Sequence, residues 1–229
     1  RVDVDAVLAC VTPATRIVII ANPNNPTGTY IPASEVRRLH RALSPDVLLL
    51  LDSAYCEYVA VDDYEDGSAL ARQHGNVVMT RTFSKIYGLA GLRIGWAYAP
   101  LHVIDALQRI RTPFNANRAA LAAAAEATRD VEHVANVRHK NKLAQQYVSE
   151  QLARLGLRHV PSVTNFYLID FDGIPGKSAR EAAVFLQSRG VIPRPIKSGR
   201  GENRLRITIG REHENEAALA ALRDYLGNH

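Results

Sequence analysis

A lysine and an arginine follow a hydroxyl-bearing turn near the middle of the sequence. The lysine is Lys85, which Thr82 and Ser84 precede, and Arg93 follows in the segment Gly-Leu-Arg-Ile-Gly. A lysine amine can attack a carbonyl to form a Schiff base, and hydroxyls with a guanidinium can hold a phosphate through charge-assisted hydrogen bonds. These side chains are suited to holding a phosphorylated aldehyde, although a Ser-Lys pair alone is more often a solvated surface turn.

A second polar turn occupies residues 22–28, with the sequence Asn-Pro-Asn-Asn-Pro-Thr-Gly, directly after an apolar run at 17–20. The prolines fix the backbone and remove donors, and Gly28 permits unusual dihedral angles. The asparagine amides can bond to the local backbone or to a ligand. The pattern alone fits an ordinary Asn-Pro turn and a ligand-binding turn equally well.

An acidic residue ends the apolar run at 47–51. The uninterrupted run is typical of a strand that is covered on both faces, and Asp52 and Tyr55 follow it. Ligands of open α/β sheets bind outside the carboxyl ends of the strands, so we expect Asp52 to belong to a site. The alternative is that Asp52 caps the N-terminus of a helix.

Alternating strand and helix patterns predict an α/β fold. The predicted strands of the first part are residues 17–21, 47–52, 77–82 and 92–99. The predicted helices are residues 34–43, 101–111, 118–129 and 131–155. A loop is predicted at residues 62–75. The remainder is a predicted small α/β domain with a mixed sheet, built from strands 165–171 and 204–209 and helices 178–189 and 212–226. We therefore predict one domain over 1–155, which includes the long linking helix, and another over 156–229.

Composition restricts the classes of function. The chain carries a net charge of +5, but its basic residues are dispersed, and the densest stretch at 138–142 has the pattern of a solvated helix face. We therefore expect no nucleic-acid partner. Cys10 and Cys56 have neither disulfide-framework nor zinc spacing, which favours a reducing cytoplasm, and we expect no metal. No apolar run is long enough to span a membrane.

Taken together, these segments resemble the fold type I pyridoxal-phosphate aminotransferases, and most closely the histidinol-phosphate aminotransferases and their aromatic-aminotransferase relatives. The resemblance spans nearly the whole sequence. It rests on residues 22–28, 52–55, 82–85, 91–95, 113–117, 162–166 and 205–210.

The resemblance implies that the cofactor is pyridoxal 5'-phosphate. Lys85 would hold it covalently and act as the general acid and base. Asp52 would pair with the pyridine nitrogen and keep it protonated, as an adjacent carboxylate does. The phenolic oxygen would bind Asn25 and Tyr55, and the phosphate would bind Thr82, Ser84 and Arg93.

Arg206 is the main substrate-binding residue that the resemblance implies. Its alternation with apolar neighbours, taken alone, is typical of a half-exposed strand. The equivalent arginine of the family clamps a substrate carboxylate, and Arg194 is a second candidate for the same anionic pocket; Asn25 is also expected to face substrate. Histidinol phosphate carries a phosphate, whereas glutamate carries carboxylates. The hypothesis is that one arginine serves both half-reactions.

Several expectations follow for the whole protein. The expected activity is transamination of histidinol phosphate with 2-oxoglutarate, and the expected partners are an amino donor, a 2-oxo acid and a second copy of the chain. The alternatives are an aromatic amino acid aminotransferase, a threonine-phosphate decarboxylase and an aminotransferase-like domain of a transcription regulator. Family members carry a further N-terminal portion with a phosphate loop and a ring-stacking aromatic residue. We therefore expect these 229 residues alone to bind the cofactor weakly and turn over poorly.

Overall fold

The computed structural model describes residues 1–196 and 203–227. The α-helices of this part are α1 (Val4–Ala9), α2 (Ala33–Ala42), α3 (Ser68–Gln73), α4 (Leu101–Ile110), α5 (Arg118–Arg129), α6 (Val131–Arg154), α7 (Ala179–Ser188) and α8 (Glu212–Leu226). The strands are β1 (Ile17–Ala21), β2 (Leu48–Asp52), β3 (Val77–Thr82), β4 (Gly95–Tyr98), β5 (Arg158–Val160), β6 (Phe166–Asp170), β7 (Arg194–Pro195) and β8 (Arg204–Thr208). Short 3-10 helices span Cys56–Tyr58 and Ala90–Leu92.

The chain divides into two compact units. The first unit comprises Arg1–Asn24 and Tyr30–Val137, and the second comprises Asn25–Thr29 and Arg138–His229. The turn at Asn25–Thr29 thus packs with residues that follow it by more than a hundred positions. The predicted domains 1–155 and 156–229 stay a prediction.

The first unit is built on a four-stranded sheet in the order β1-β2-β3-β4. The first three strands are parallel, and β4 runs antiparallel to β3. Its core joins alternate residues of the strands, among them Val18, Leu49 and Val77, to apolar residues of α1, α2 and α3. Because side chains alternate along a strand, this core lies on one face of the sheet.

The second unit contains the antiparallel sheet β5-β6-β8-β7. Leu205 of β8 is fully buried, and it belongs to one core cluster with Leu186 of α7 and Leu222 of α8. Leu152, near the end of α6, joins the same cluster. The two sheets confirm the predicted α/β class. The mixed sheet predicted for the C-terminal part is wrong, because every described strand pair of this sheet is antiparallel.

Three further predictions, each of a single segment, are wrong. The segment predicted as a loop at 62–75 contains α3. This helix begins directly after Gly67, a residue whose backbone is in the left-handed region (φ 85°). The strand predicted at 92–99 is limited to Gly95–Tyr98, because a 3-10 helix precedes it and Arg93 has φ 51°. The strand at the centre of the sheet is fully covered on one face only, since Leu49 and Leu51 are buried while Leu48 and Leu50 are half-buried.

The patterns did not predict α1, β5 or β7. Each is short, and a strand of two or three residues carries too little alternation to be recognised. No helix within residues 1–196 and 203–227 is long and apolar enough to cross a membrane.

Replacing Leu49 by alanine is expected to destabilise the first unit, because Leu49 is 0% exposed at the centre of the sheet. Loss of the buried methyl groups and the resulting cavity should lower the free energy of unfolding by about 3 kcal/mol, measured by urea denaturation. Ile17→Ala is the matched control, since Ile17 is 54% exposed on the neighbouring strand. A cost for Leu49→Ala no larger than that of the control would contradict this description of the core.

Candidate active site

Parallel pairing brings the ends of three strands to one edge of the first sheet. Ala21 pairs in register with Asp52, and Asp52 pairs with Thr80. Because the strands run in one direction, the turns that follow β1, β2 and β3 leave the sheet at the same edge. This edge is where open α/β sheets bind ligands.

The Asp52 carboxylate is oriented by a neighbour that the sequence analysis missed. The hydroxyl of Thr80 donates to Asp52 Oδ1 at 3.3 Å. Thr80 and Thr82 lie two residues apart on β3 and therefore project from the same face of the strand. That pairing of hydroxyls at the end of an apolar strand is the signal that could have identified Thr80.

Lys85 lies over an aromatic ring. Its Nζ atom is 5.2 Å from the centroid of the Tyr55 ring, and Tyr55 is 4% exposed. An ammonium group over a ring face at this distance makes a cation–π contact. The structure therefore brings together Lys85 and Tyr55, which the sequence placed thirty residues apart.

The turn that carries Lys85 is held by its own hydrogen bonds. Thr82 Oγ1 accepts the backbone N–H of Ser84 at 3.0 Å, and the carbonyl of Lys85 accepts the N–H of Gly88 at 2.9 Å. Arg93 is exposed, and its Nη1 donates to the carbonyl of Ala90 at 2.8 Å. Thr82, Ser84 and Lys85 thus share one turn, and Arg93 ends the 3-10 helix that follows it.

The side chain of Asn22 fixes the start of the Asn-Pro turn in the first unit. Its Nδ2 donates to the carbonyl of Ile31 at 3.1 Å, and its Oδ1 accepts the N–H of Ile31 at 2.9 Å. The hydroxyl of Tyr64 donates to the backbone carbonyl of Asn22 at 2.9 Å. The Asn22–Pro23 and Asn25–Pro26 peptide bonds are both cis.

Gly28 belongs to the second unit and is fixed by contacts within that unit. Its carbonyl accepts the N–H of Val163 at 2.9 Å, and its φ is 74°. A Cβ atom at this position would lie 2.8 Å from the Cβ of Ser162. Only glycine meets both conditions without strain.

Arg206 is the centre of the second unit's candidate site. Its Nη1 donates to Asn25 Oδ1 at 2.5 Å, and its guanidinium carbon is 5.0 Å from the centroid of the Phe166 ring. Arg194 pairs with Arg206 across the sheet. Both arginines line a groove of about 510 Å³ together with His213.

The sequence analysis did not identify His213 as a candidate site residue. Its place in the groove depends on how α8 packs beside β8, which no local pattern shows. Among the residues that the structure describes, no group of three or more His, Cys, Asp or Glu side chains is arranged to hold a metal ion.

Comparison with known proteins decides the family. The family model described as aminotransferase class I and II matches residues 1–222. The chain belongs to this family. The shared fold is confirmed by the crystal structure of histidinol-phosphate aminotransferase from Sinorhizobium meliloti in complex with pyridoxal-5'-phosphate, which is 33% identical with a TM-score of 0.87. That match covers 98% of this chain and 61% of the other.

Two curated relatives are more similar in sequence. Histidinol-phosphate aminotransferase from Nitrobacter hamburgensis is 50% identical over 224 residues, and that from Nitrobacter winogradskyi is 48% identical over 224 residues. Each match covers 98% of this chain and 61% of the relative. The chain therefore spans about three fifths of the length of these proteins.

Asn22→Ala is expected to destabilise the first unit, because Asn22 is 3% exposed and satisfies both backbone groups of Ile31. Leaving these groups unpaired should lower the free energy of unfolding by about 2 to 4 kcal/mol, measured by chemical denaturation. Asn115→Ala is the control, since Asn115 is exposed and its side-chain oxygen accepts from the exposed Arg111. Equal effects of the two substitutions would refute the role of Asn22.

Proposed function

We propose that this chain forms part of a pyridoxal-phosphate-dependent aminotransferase in which Lys85 carries the cofactor. The observation that supports this most directly is the Lys85 amine over the buried Tyr55 ring, at the sheet edge where Asp52 ends β2. A lysine beside an aromatic ring and near a strand-end carboxylate has the equipment for covalent binding of an aldehyde.

The residues of the first unit fit this cofactor chemically. Thr82 Oγ1 already accepts a hydrogen bond from the backbone, so its own O–H can donate to a phosphate oxygen. Ser84 offers a second hydroxyl on the same turn. Arg93 uses one N–H for the Ala90 carbonyl and keeps its other donors for an anion. The donor set thus matches a phosphate, and Asp52 matches a protonated ring nitrogen.

Each residue has a distinct task in the proposed reaction. When bound, pyridoxal phosphate supplies an aldehyde that takes up the amino group and a ring that withdraws electrons from the substrate carbon. Asp52, oriented by Thr80, would hold the proton of the ring nitrogen. The Tyr55 hydroxyl would bind the phenolic oxygen. Lys85 Nζ would remove and return the proton of the substrate carbon as general base and acid.

We propose histidinol phosphate as the amino donor and 2-oxoglutarate as the acceptor. The 50% and 48% identical relatives, both named histidinol-phosphate aminotransferase, support this choice. Arg206 and Arg194 supply adjacent positive charge in one groove, which suits the phosphate of one substrate and a carboxylate of the other. We further propose that the protein acts as a homodimer in the cytoplasm.

Lys85 is expected to be the site of covalent cofactor attachment. Incubation with pyridoxal 5'-phosphate followed by borohydride reduction should add the cofactor's mass to the peptide that contains Lys85, as identified by mass spectrometry, and Lys85→Ala should abolish this labelling. Lys177→Ala is the matched control, because Lys177 Nζ also lies over a tyrosine, 4.7 Å from the Tyr225 centroid. If Lys85→Ala takes up as much borohydride-fixed cofactor as the unsubstituted chain, the proposal is wrong.

Arg206→Ala in the full-length protein is expected to slow both half-reactions by about a hundredfold or more, because it removes a charge-assisted anion contact of the order of 3 kcal/mol. The amination of the cofactor by histidinol phosphate and by glutamate should be measured separately by stopped-flow absorbance. Arg204→Ala on the same strand is the control, since Arg204 faces Asp170. If Arg206→Ala reacts with glutamate at the unsubstituted rate, the hypothesis that Arg206 binds both substrates is wrong.

A further inference from the structure

Arg81, on β3, lies between two acidic side chains in the first unit. Its Nη2 forms an ion pair with Asp66 Oδ2, and its Nη1 is 3.5 Å from Glu57 Oε1. The guanidinium carbon is also 5.5 Å from the centroid of the Trp96 ring. The side chains of Arg81, Asp66 and Glu57 are 21%, 23% and 7% exposed, so this network is largely shielded from water.

Both acids belong to segments that lead to the candidate site. Glu57 lies in the 3-10 helix that begins directly after Tyr55. The backbone carbonyl of Asp66 accepts the hydroxyl of Ser53 at 2.7 Å, and Ser53 directly follows Asp52. Arg81 itself directly precedes the Thr82 turn. The network therefore joins the segment that carries Asp52 and Tyr55 to the segment that carries Lys85.

The charge of the Asp66 carboxylate is compensated within this network. Burial opposes ionisation of Asp66, but the Ser68 N–H and hydroxyl and the Arg81 guanidinium outweigh it and hold the Asp66 pKa below its usual value. Burial, followed by the charge of Glu57, raises the pKa of Tyr87. Glu57 therefore acts on Tyr87, two residues after Lys85, as well as on Arg81, four residues before it.

A guanidinium is the side chain that this position requires. It presents donors on separate nitrogens in a planar fork, so Arg81 can reach Asp66 with one nitrogen and Glu57 with another while its face lies over Trp96. A lysine ammonium keeps the charge but lacks the fork. An ion pair that only stabilised the fold would not need to connect the segment that carries Tyr55 with the segment that carries Lys85.

We propose that Arg81 is a positioning residue, which holds the Tyr55 ring beneath the Lys85 amine through its contacts with Glu57 and Asp66. This inference rests on the proposed function of Lys85 for its catalytic meaning. The geometric part, the placement of Lys85 over Tyr55, can be tested without cofactor.

Lysine methyl resonances report that placement. Reductive methylation with ¹³C-formaldehyde places methyl groups on lysine amines, and a ring face shifts the resonances of methyl groups above it upfield. In the unsubstituted chain, the methyl resonances of Lys85 and Lys177 should both be shifted, since each amine lies over a tyrosine. Lys85→Arg and Lys177→Arg assign the two signals.

Arg81→Met should move the Lys85 resonance to the position of exposed lysines and leave that of Lys177 in place. Arg81→Lys and Glu57→Gln should each give a partial movement. Arg37→Met is the matched control and should move neither signal, because Arg37 pairs with Glu65 at 2.6 Å at an exposed site in the same unit. If Arg81→Met fails to fold, the two milder variants decide the result. A Lys85 resonance that stays in place in the folded variants overturns the proposal.

Cofactor affinity provides the second readout. Arg81→Met should raise the dissociation constant for pyridoxal 5'-phosphate by about tenfold or more, as misplacement of an anchoring group does, while Arg37→Met should not change it. Trp96 is the single tryptophan of the chain, so a change in fluorescence emission between a variant and the unsubstituted chain reports that the network was altered. Equal cofactor affinity of the unsubstituted chain and Lys85→Ala would reject the proposed function. An altered Trp96 emission with unchanged affinity and an unmoved Lys85 resonance would instead reject the role of Arg81.

Discussion

The in-register parallel pairing of β1, β2 and β3 is the constraint on which the candidate site of the first unit depends. It aligns Ala21, Asp52 and Thr80 across three strands, so the segments that follow these strands emerge together. A shift of one residue would turn Asp52 away from Thr80 and move the buried leucines of β2 to the opposite face. The apolar core therefore fixes the register, and the register in turn fixes where the polar side chains project.

Specific partners offset the loss of hydration of the charged groups at this edge of the sheet. A buried carboxylate is tolerated when hydrogen bonds or an opposite charge replace its lost hydration. Asp52 receives the Thr80 hydroxyl, and Asp66 receives the Ser68 N–H and the Arg81 guanidinium. These partners limit the rotation of the carboxylates. Charge compensation and positioning are therefore one feature of the first unit, since each partner that stabilises a charge also restricts its direction.

Local pattern predicted the elements whose signal lies within one segment. The apolar runs gave the three parallel strands, and the long periodic stretches gave α5 to α8 with small differences at their ends. Local pattern failed where the structure of a segment depends on contacts with residues distant in the sequence. The Asp- and Gly-rich stretch before Gly75 contains α3 because Leu70 and Ala71 join the core of the first unit. Thr80 and Arg81 are ordinary strand residues in sequence, and only the fold brings Thr80 to Asp52 and Arg81 to Glu57 and Asp66.

Arg206 shows why a sequence pattern can be correct and still leave a role undecided. Its alternation with apolar residues describes β8 properly, but its contact with Asn25 joins residues 181 positions apart. One N–H is committed to Asn25, and one face of the guanidinium lies over Phe166. The remaining donors keep a fixed direction, because a planar group held at its edge and its face cannot rotate freely. Phosphate and carboxylate both present paired oxygens, so a guanidinium held in this way can bind either without rearranging the strand.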